Sequence, residues 1–376
     1  MAAPSIASWE VLAASSHFTL RRSGRYLIAE LHGEHLVLST SARNGGQARG
    51  IRYLANHQSC EGTAHVDRHA LIQQLGQAGY HDTVCAEMNL PTCEVALMGT
   101  AANMNYAAIV TQEDCGLQVT AIVTAGVQGN AACAGDPAGW REDEGGWEKA
   151  GGTINTMLLI NQPLTEAALA RCAVTMTEAK TTALYRLAVR SLYSSDLATG
   201  TGTDQFAIAA PETGAHRLTS ASPHVKLGEL IGKTVRDATL EALRWQNGLE
   251  ASYTRSIFCA LGRLGLSEES FFEDIGMMLS ESDLTLMRKN SKSVFYEPQV
   301  AACAFAFAAV MDRIRYETLP SNAAQAALRN QAASVAVSLS GKTHLWESFR
   351  AKLNDDDPVR LVLHALALGW AAKWRS

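Results

Sequence analysis

The sequence has little charge and no basic cluster, which limits the partners it can have. Lysine, arginine, aspartate and glutamate make up 18% of its 376 residues, and the formal net charge is −5. A protein that grips nucleic-acid phosphates needs lysines and arginines gathered on one face. We therefore expect a small-molecule ligand and no nucleic-acid partner.

The eight cysteines include no C-x-x-C pair, and the histidines show no H-E-x-x-H or other zinc-ligand spacing. These absences argue against a disulfide framework, a zinc knuckle and an intrinsic catalytic metal. We expect reduced, mostly buried thiols in a cytoplasmic protein with no cofactor of its own. The cysteines are Cys60, Cys85, Cys93, Cys115, Cys133, Cys172, Cys259 and Cys303.

Long hydrophobic runs are also missing. The longest, "VAACAFAFAAVM" at 300–311, is shorter than the roughly 20 residues that cross a bilayer. The N-terminal residues do not place a basic segment before an apolar one, as a signal peptide would. We expect no membrane partner and no signal peptide.

Apolar residues make up 47% of the chain, which is enough for a sizeable core. "FTLRRSGRYLIAELHGEHLVLST" predicts three strands, and "EDCG" lies between two further strands that could form a hairpin. Helical spacing dominates from 249 onward. We predict an α+β domain at 1–248 with a mixed or antiparallel sheet, followed by an all-α domain at 249–376. A layered α/β arrangement is the alternative.

Several helices follow from spacing and end signals. "HALIQQLGQAG" predicts a helix that stops at its glycine, and "ARNGGQARG" predicts a loop. "LTEAALARC" and "TEAKTTALYRLAV" predict two helices in succession. The segment at 224–248 predicts one long helix closed by Asn247-Gly248.

Lys180 lies in an apolar stripe of the second of those successive helices, with Met176, Ala183 and Leu184. A lysine there is costly unless its charge is paired or used in chemistry. The alternative is a stem that packs on the core while the amine reaches water. Glu178 is a second candidate, although Thr175-x-x-Glu178 also fits a capping box at a helix start.

Short hydroxyl and amide side chains recur beside glycines at four predicted strand–loop junctions, of which "ATGTGTD" at 198–204 is the richest. Gly200 and Gly202 allow a ligand to approach the main chain, and Asp204 adds a carboxylate. Such loops suit a ligand with many neutral polar groups, although each alone also fits a turn. The predicted substrate-binding residues are Ser41, Asn44, Asn130, Thr153, Asn155, Thr199, Gly200, Thr201, Gly202 and Thr203.

His224 follows Pro223 at the start of the long helix. A histidine there could be a general acid or base, or a ligand to a metal carried by the substrate. A helix-terminal hydrogen bond is the alternative.

Six blocks occur in an order that resembles the adenosylcobinamide amidohydrolase family. They are "LSTSARNGG", "VTAGVQGNAACAGDP", "GGTINTMLLIN", "TEAKTTALYRLAVRS", "ATGTGTD" and "HVKLGELIG". Together they span about residues 36–240, while "ALMGTAANM" and the tryptophan-rich stretch at 136–150 depart from the family pattern. The resemblance does not reach the C-terminal domain.

The resemblance implies hydrolysis of the amide that joins a corrin side chain to aminopropanol. Adenosylcobinamide would give adenosylcobyric acid and 1-amino-2-propanol, in corrinoid salvage or in cobamide remodelling. Cobalt would belong to the substrate. Trp140 and Trp147 could contact the flat faces of the macrocycle.

Amide hydrolysis needs a nucleophile, a base and donors for the oxyanion. We expect a water or a threonine hydroxyl to attack, with Asp204, Glu178 or His224 as the base. Backbone amides around Gly200–Thr203 would hold the oxyanion, and Lys180 would stabilise negative charge. An autoprocessed threonine at a Gly-Thr pair is a sharper alternative.

Two other function classes stay open. One is a corrinoid-binding or carrier protein that cleaves nothing. The other is a nucleotide-dependent transferase, which the lack of a lysine after the glycines of "ATGTGTD" disfavours. The helical domain could serve as a dimerisation surface, a lid or a docking site, and a homo-oligomer is compatible with any of these roles.

Overall fold

The computed structural model describes residues 8–59, 65–138 and 152–374, and it divides into two compact units, Met1–Leu249 and Glu250–Ser376. Strands and helices mix in the first unit, and the second is helical. This confirms the predicted α+β class, with a sheet region followed by a helical region. In the described part of the chain, no helix is both long and apolar enough to span a membrane.

One sheet of the first unit has five strands in the order β1-β2-β3-β6-β7. Strands β6 and β7 are parallel, and the other neighbours are antiparallel. Buried residues of β3, β6 and β7 pack on helix α1. The bounds are β1 Glu10–Ala14, β2 Phe18–Ser23, β3 Tyr26–Leu31, β6 Tyr53–Gln58, β7 Val95–Thr100 and α1 His65–Met88.

A second sheet has six strands in the order β5-β4-β13-β11-β9-β8. Strands β11 and β13 are parallel, and the other neighbours are antiparallel. A two-stranded sheet pairs β10 with β12. The bounds are β4 His35–Ser39, β5 Gly46–Ala48, β8 Ala108–Asp114, β9 Leu117–Ala125, β10 Ala131–Ala132, β11 Ile154–Ile160, β12 Gly200–Thr201 and β13 Gln205–Pro211.

The two large sheets face each other across a core that includes Leu54, Met98, Ile122 and Met157. The outer face of the six-stranded sheet packs on helices α2 (Glu166–Arg186) and α3 (Lys226–Asn247). The alternation of side chains along each strand sends successive residues to opposite faces. The first unit therefore has four layers: α1, the five-stranded sheet, the six-stranded sheet, and α2 with α3.

The second unit has its own core, which includes the fully buried Phe271, Phe307 and Trp370. Small alanines line much of the α9, α10 and α12 surfaces that pack in it. The helices are α4 Ala251–Thr254, α5 Ile257–Leu261, α6 Phe271–Gly276, α7 Glu281–Lys289, α8 Lys292–Phe295, α9 Pro298–Arg315, α10 Ser321–Ser340, α11 Trp346–Lys352 and α12 Pro358–Lys373.

Most predicted strand boundaries and the β8–β9 hairpin are confirmed. Helix α3 ends at Gly248, whose φ of 66° is the left-handed conformation that suits glycine at a helix C-terminus. The prediction that "ARNGGQARG" is a loop throughout is wrong, because this segment contains strand β5.

Two helix predictions are wrong in detail. The pair expected at 164–172 and 177–189 is one continuous helix, α2, whose N-cap is Thr165. Thr175 lies buried in its middle and donates its hydroxyl to the carbonyl of Ala221, so Thr175 and Glu178 form no capping box. Helix α1 continues past the predicted stop to Met88, with non-helical backbone at Gly76.

Candidate functional site

The candidate site lies where β11 and β13 begin. These strands are parallel neighbours, and Asn155 pairs with Gln205 in their register. The residues that precede each strand, Thr153 and Asp204, are therefore brought to the same edge of the sheet. The loop at 198–204 leads into β13 at this edge. Strand β12 lies within the loop and pairs with β10.

Asp204 is the last residue of this loop, and its carboxylate forms an ion pair with Lys180 of α2. Both side chains are mostly buried, at 14% exposure for Lys180 and 17% for Asp204. The predicted apolar stripe on α2 is confirmed, since Met176, Ala183 and Leu184 are buried around the lysine stem. The lysine charge is thus paired with the carboxylate of the loop.

Four donors surround the Asp204 carboxylate. The Thr201 hydroxyl and the Ile154 amide donate to Oδ1 at 2.6 and 2.8 Å. The Lys180 amine and the Thr201 amide donate to Oδ2, the latter at 3.0 Å. A carboxylate offers about four lone-pair sites, so these donors occupy all of them. The only hydroxyl among these donors belongs to Thr201.

The two glycines of the loop lie close to polar side chains, and the approach is closest at Gly200. A Cβ atom on Gly200 would lie 2.5 Å from Asp204 Oδ2 and 2.7 Å from Lys180 Nζ. A Cβ on Gly202 would lie 3.1 Å from Asn130 Oδ1. A larger residue at 200 would push the ion pair apart, whereas one at 202 would require only a small shift of the Asn130 side chain.

Hydrogen bonds from neighbouring loops hold this arrangement. Asn130 is buried and donates its amide to the Gly152 carbonyl and to Thr203 Oγ1, at 3.3 and 3.2 Å. The Thr153 hydroxyl donates to the Thr203 carbonyl at 2.5 Å. Thr199 Oγ1 accepts from the Ala134 amide at 2.8 Å. The structure thus brings Asn130, Thr153, Thr199 and Thr203 together around Lys180 and Asp204.

A buried polar network continues from here into the space between the sheets. Asn155 donates to Asn56 Oδ1 and to the Gly99 carbonyl, at 2.9 and 3.0 Å. Asn56 in turn donates to Thr124 Oγ1 at 2.8 Å. Asn155 is fully buried, and its amide joins the two sheets beneath the loop.

The expected oxyanion donors are largely committed to the protein itself. The amide of Thr201 donates to Asp204, and that of Gly202 donates to the carbonyl of Asn130 at 3.3 Å. The Thr203 amide makes a long bond of 3.4 Å to Thr201 Oγ1. A backbone nest at Gly200–Thr203 therefore has few free donors, and Lys180 is the nearest positive charge to Asp204.

Ser41 and Asn44 belong to a different cluster, which anchors the loop at 39–46. Asn44 donates to the carbonyls of Thr92 and Val95, at 2.8 and 2.9 Å. Ser41 Oγ accepts from the Leu97 amide at 2.9 Å and lies 3.4 Å from His81 Nδ1. Burial lowers the pKa of His81. These side chains fasten the loop to β7 and α1, and none of these hydrogen bonds involves Lys180 or Asp204.

Glu178 and His224 also lie apart from the site. Glu178 is exposed on α2, two residues from Lys180, and positions two apart on a helix do not face each other. His224 is exposed just before the N-terminus of α3. The other end of α3 borders the site, since Gln246 and Asn247 accept from the amides of Asn103 and Val127. A helix of this length puts about 30 Å between its ends.

Sequence reasoning missed Tyr193, whose hydroxyl donates to Asn130 Oδ1 at 3.0 Å. It also missed Asn56 and Gln205, which lie under the loop; Gln205 Oε1 accepts from the Gly99 amide at 2.8 Å. The signal for Tyr193 was its place in the polar segment between α2 and the loop. Trp140 and Trp147 lie outside the described residues. Within the residues that the structure describes, no cluster of three or more His, Cys, Asp or Glu could hold a metal.

Comparisons with known proteins identify the family of the first unit. The protein MJ1613 of Methanocaldococcus jannaschii, which is uncharacterized, is 31% identical over 236 residues, covering 60% of this chain and 88% of that one. The crystal structure of the PH0078 protein from Pyrococcus horikoshii OT3 aligns over 62% of this chain and 82% of that chain, with 12% identity. Its TM-score of 0.29 is too low to carry an argument. The adenosylcobinamide amidohydrolase family matches residues 11–251, and this chain belongs to that family of amidohydrolases.

Proposed function

We propose that the first unit hydrolyses the amide between a corrin side chain and aminopropanol in adenosylcobinamide. The products are adenosylcobyric acid and 1-amino-2-propanol, and cobalt enters only as part of the substrate. Family membership supports the reaction class. The observation that carries the proposal is the Thr201 hydroxyl held 2.6 Å from a carboxylate that is itself paired with Lys180.

Thr201 is the nucleophile that this geometry favours. A water would need a lone pair on Asp204, and the four donors already occupy those sites. The Thr201 hydroxyl needs no rearrangement, because it already donates to Oδ1. Attack of its oxygen on the amide carbon forms a tetrahedral oxyanion while the hydroxyl proton passes to Asp204.

Collapse of that intermediate breaks the C–N bond and leaves an ester on Thr201. The amine takes up the proton that Asp204 received and departs as 1-amino-2-propanol. A water then hydrolyses the ester, which frees the cobyric acid and restores the threonine. Lys180, through its position in the ion pair with Asp204, stabilises the negative charge of the tetrahedral oxyanion.

The polar surroundings suit the substrate. A corrin rim carries neutral amides, and the loops at 123–131, 152–155 and 198–204 present threonine hydroxyls and backbone groups and contain no arginine. Thr203 is exposed at the loop surface. We place the protein in the cytoplasm as part of corrinoid salvage, or of remodelling if complete cobamides are also cleaved.

Incubation of the full chain with adenosylcobinamide tests the proposal. Mass spectrometry should detect cobyric acid and aminopropanol in equal amounts, and complete cobamides run alongside define the substrate range. Binding of the corrinoid without release of aminopropanol would instead identify a carrier protein.

A further inference from the structure

The segment between α2 and the loop at 198–204 exposes two apolar side chains, Leu192 at 44% and Tyr193 at 49%. Exposed apolar residues are common on soluble proteins and mean little alone. What distinguishes Tyr193 is that its ring is exposed and yet held in place.

Hydrogen bonds fix the backbone of this segment on both sides of the ring. The Leu192 amide donates to the Ala131 carbonyl at 2.9 Å, and the Tyr193 amide donates to Ser191 Oγ at 3.0 Å. Ser191 in turn donates its hydroxyl to Asp136 at 2.6 Å. Burial alone would raise the pKa of Asp136, but the hydrogen bonds from Ser191, Ser194 and the Cys133 amide outweigh it and lower that pKa. Asp136 therefore anchors the segment through these hydrogen bonds.

The far end of the ring is fixed as well, because the Tyr193 hydroxyl donates to Asn130 Oδ1. The same oxygen is the atom that a Cβ on Gly202 would approach to 3.1 Å. Tyr193 thus lies directly beside the loop that carries Thr201. A ring fixed in advance loses little rotamer freedom when a ligand packs on it.

We infer that Tyr193 is a substrate-binding residue whose ring packs against the edge of the corrin macrocycle. This rests on the proposed function. The scissile amide is on a short side chain of the macrocycle, so a surface next to the reacting carbonyl meets the macrocycle edge. A rigid aromatic ring provides broad apolar contact there.

Three variants of the full chain test the inference. Tyr193→Leu removes the ring, and Tyr193→Phe keeps the ring but removes the hydroxyl. Tyr185→Leu is the matched control, because Tyr185 is 50% exposed and lies about 140° around α2 from Lys180. Each is assayed for kcat and KM with adenosylcobinamide and with cobinamide that lacks the adenosyl group.

We expect Tyr193→Leu to raise KM about tenfold for both substrates with little change in kcat, which is the size of one aromatic contact. Tyr193→Phe should change KM by less than about threefold, since the ring remains. Tyr185→Leu should match the wild type.

Two results would overturn the inference. A fall in kcat with unchanged KM would mean that Tyr193 only holds Asn130 and the loop. A KM effect confined to the adenosylated substrate would assign the ring to the adenosyl group. If the wild type releases no aminopropanol, the proposed reaction fails by itself. Titration of the visible absorption of cobinamide then still tests Tyr193, and equal affinities for wild type and Tyr193→Leu would overturn its role.

Discussion

The loops at 39–46 and 198–204 both combine glycines with short hydroxyl side chains, yet they do different work. Asn44 and Ser41 form hydrogen bonds with residues in β7 and just before it, which fastens the first loop to the five-stranded sheet. The second loop surrounds a paired lysine and carboxylate that hold one hydroxyl. Composition therefore does not separate an anchor from a site, whereas the hydrogen-bond partners of each loop do.

The largest effect should come from breaking that charge pair. Lys180→Met leaves the mostly buried Asp204 carboxylate without its cation, which costs about 3 kcal/mol of stability and about 1000-fold in kcat. Aminopropanol release and urea unfolding of the full chain measure the two effects.

Lys226→Met is the matched control, because Lys226 pairs with Glu229 on the exposed surface of α3. Exposed pairs are screened by water and contribute little to stability, so this variant should keep nearly full activity and stability. Equal losses in both variants would contradict a special role for Lys180.

A smaller effect, on stability alone, should follow from loosening the anchor loop. Asn44→Ala removes two hydrogen bonds and also strains the backbone, since Asn44 has a φ of 56°. We expect a loss of about 2–3 kcal/mol in the free energy of unfolding, with KM and kcat within about twofold of the wild type, because neither bond reaches the Asp204 cluster.

Asn44→Gly separates the two causes, because glycine accepts positive φ without strain. It should lose about 1 kcal/mol less than Asn44→Ala. A sharp rise in KM in either variant would show that Asn44 takes part in substrate binding.

The sequence carries much of this fold in local signals. The period-two strands, the β8–β9 turn and the glycine that ends α3 are all readable, because each depends on neighbouring residues. Strands β3 and β4 are joined by a short turn and still belong to different sheets, since β4 pairs with β13 far along the chain. No periodicity reveals such a long-range choice.

The candidate site was predictable for the same reason and to the same extent. Lys180 stood out because a lysine in an apolar stripe needs a partner, and Asp204 closed the richest glycine loop. Which partner it takes depends on the packing of α2 over the start of β13. The roles of Tyr193 and Asn56 depend on contacts between distant segments, which short motifs do not show.

The most direct test of Thr201 as the nucleophile is to follow the substrate acyl group onto residue 201. Thr201→Ser keeps the hydroxyl that donates to Asp204, and Thr201→Val keeps the shape without it. With adenosylcobinamide, Thr201→Ser should still release aminopropanol, and Thr201→Val should lose about 1000-fold in kcat. Acid quenching of the wild type should trap a cobyric acyl ester on Thr201, detectable by mass spectrometry of the peptide. Full turnover by Thr201→Val would show that Thr201 is not the nucleophile.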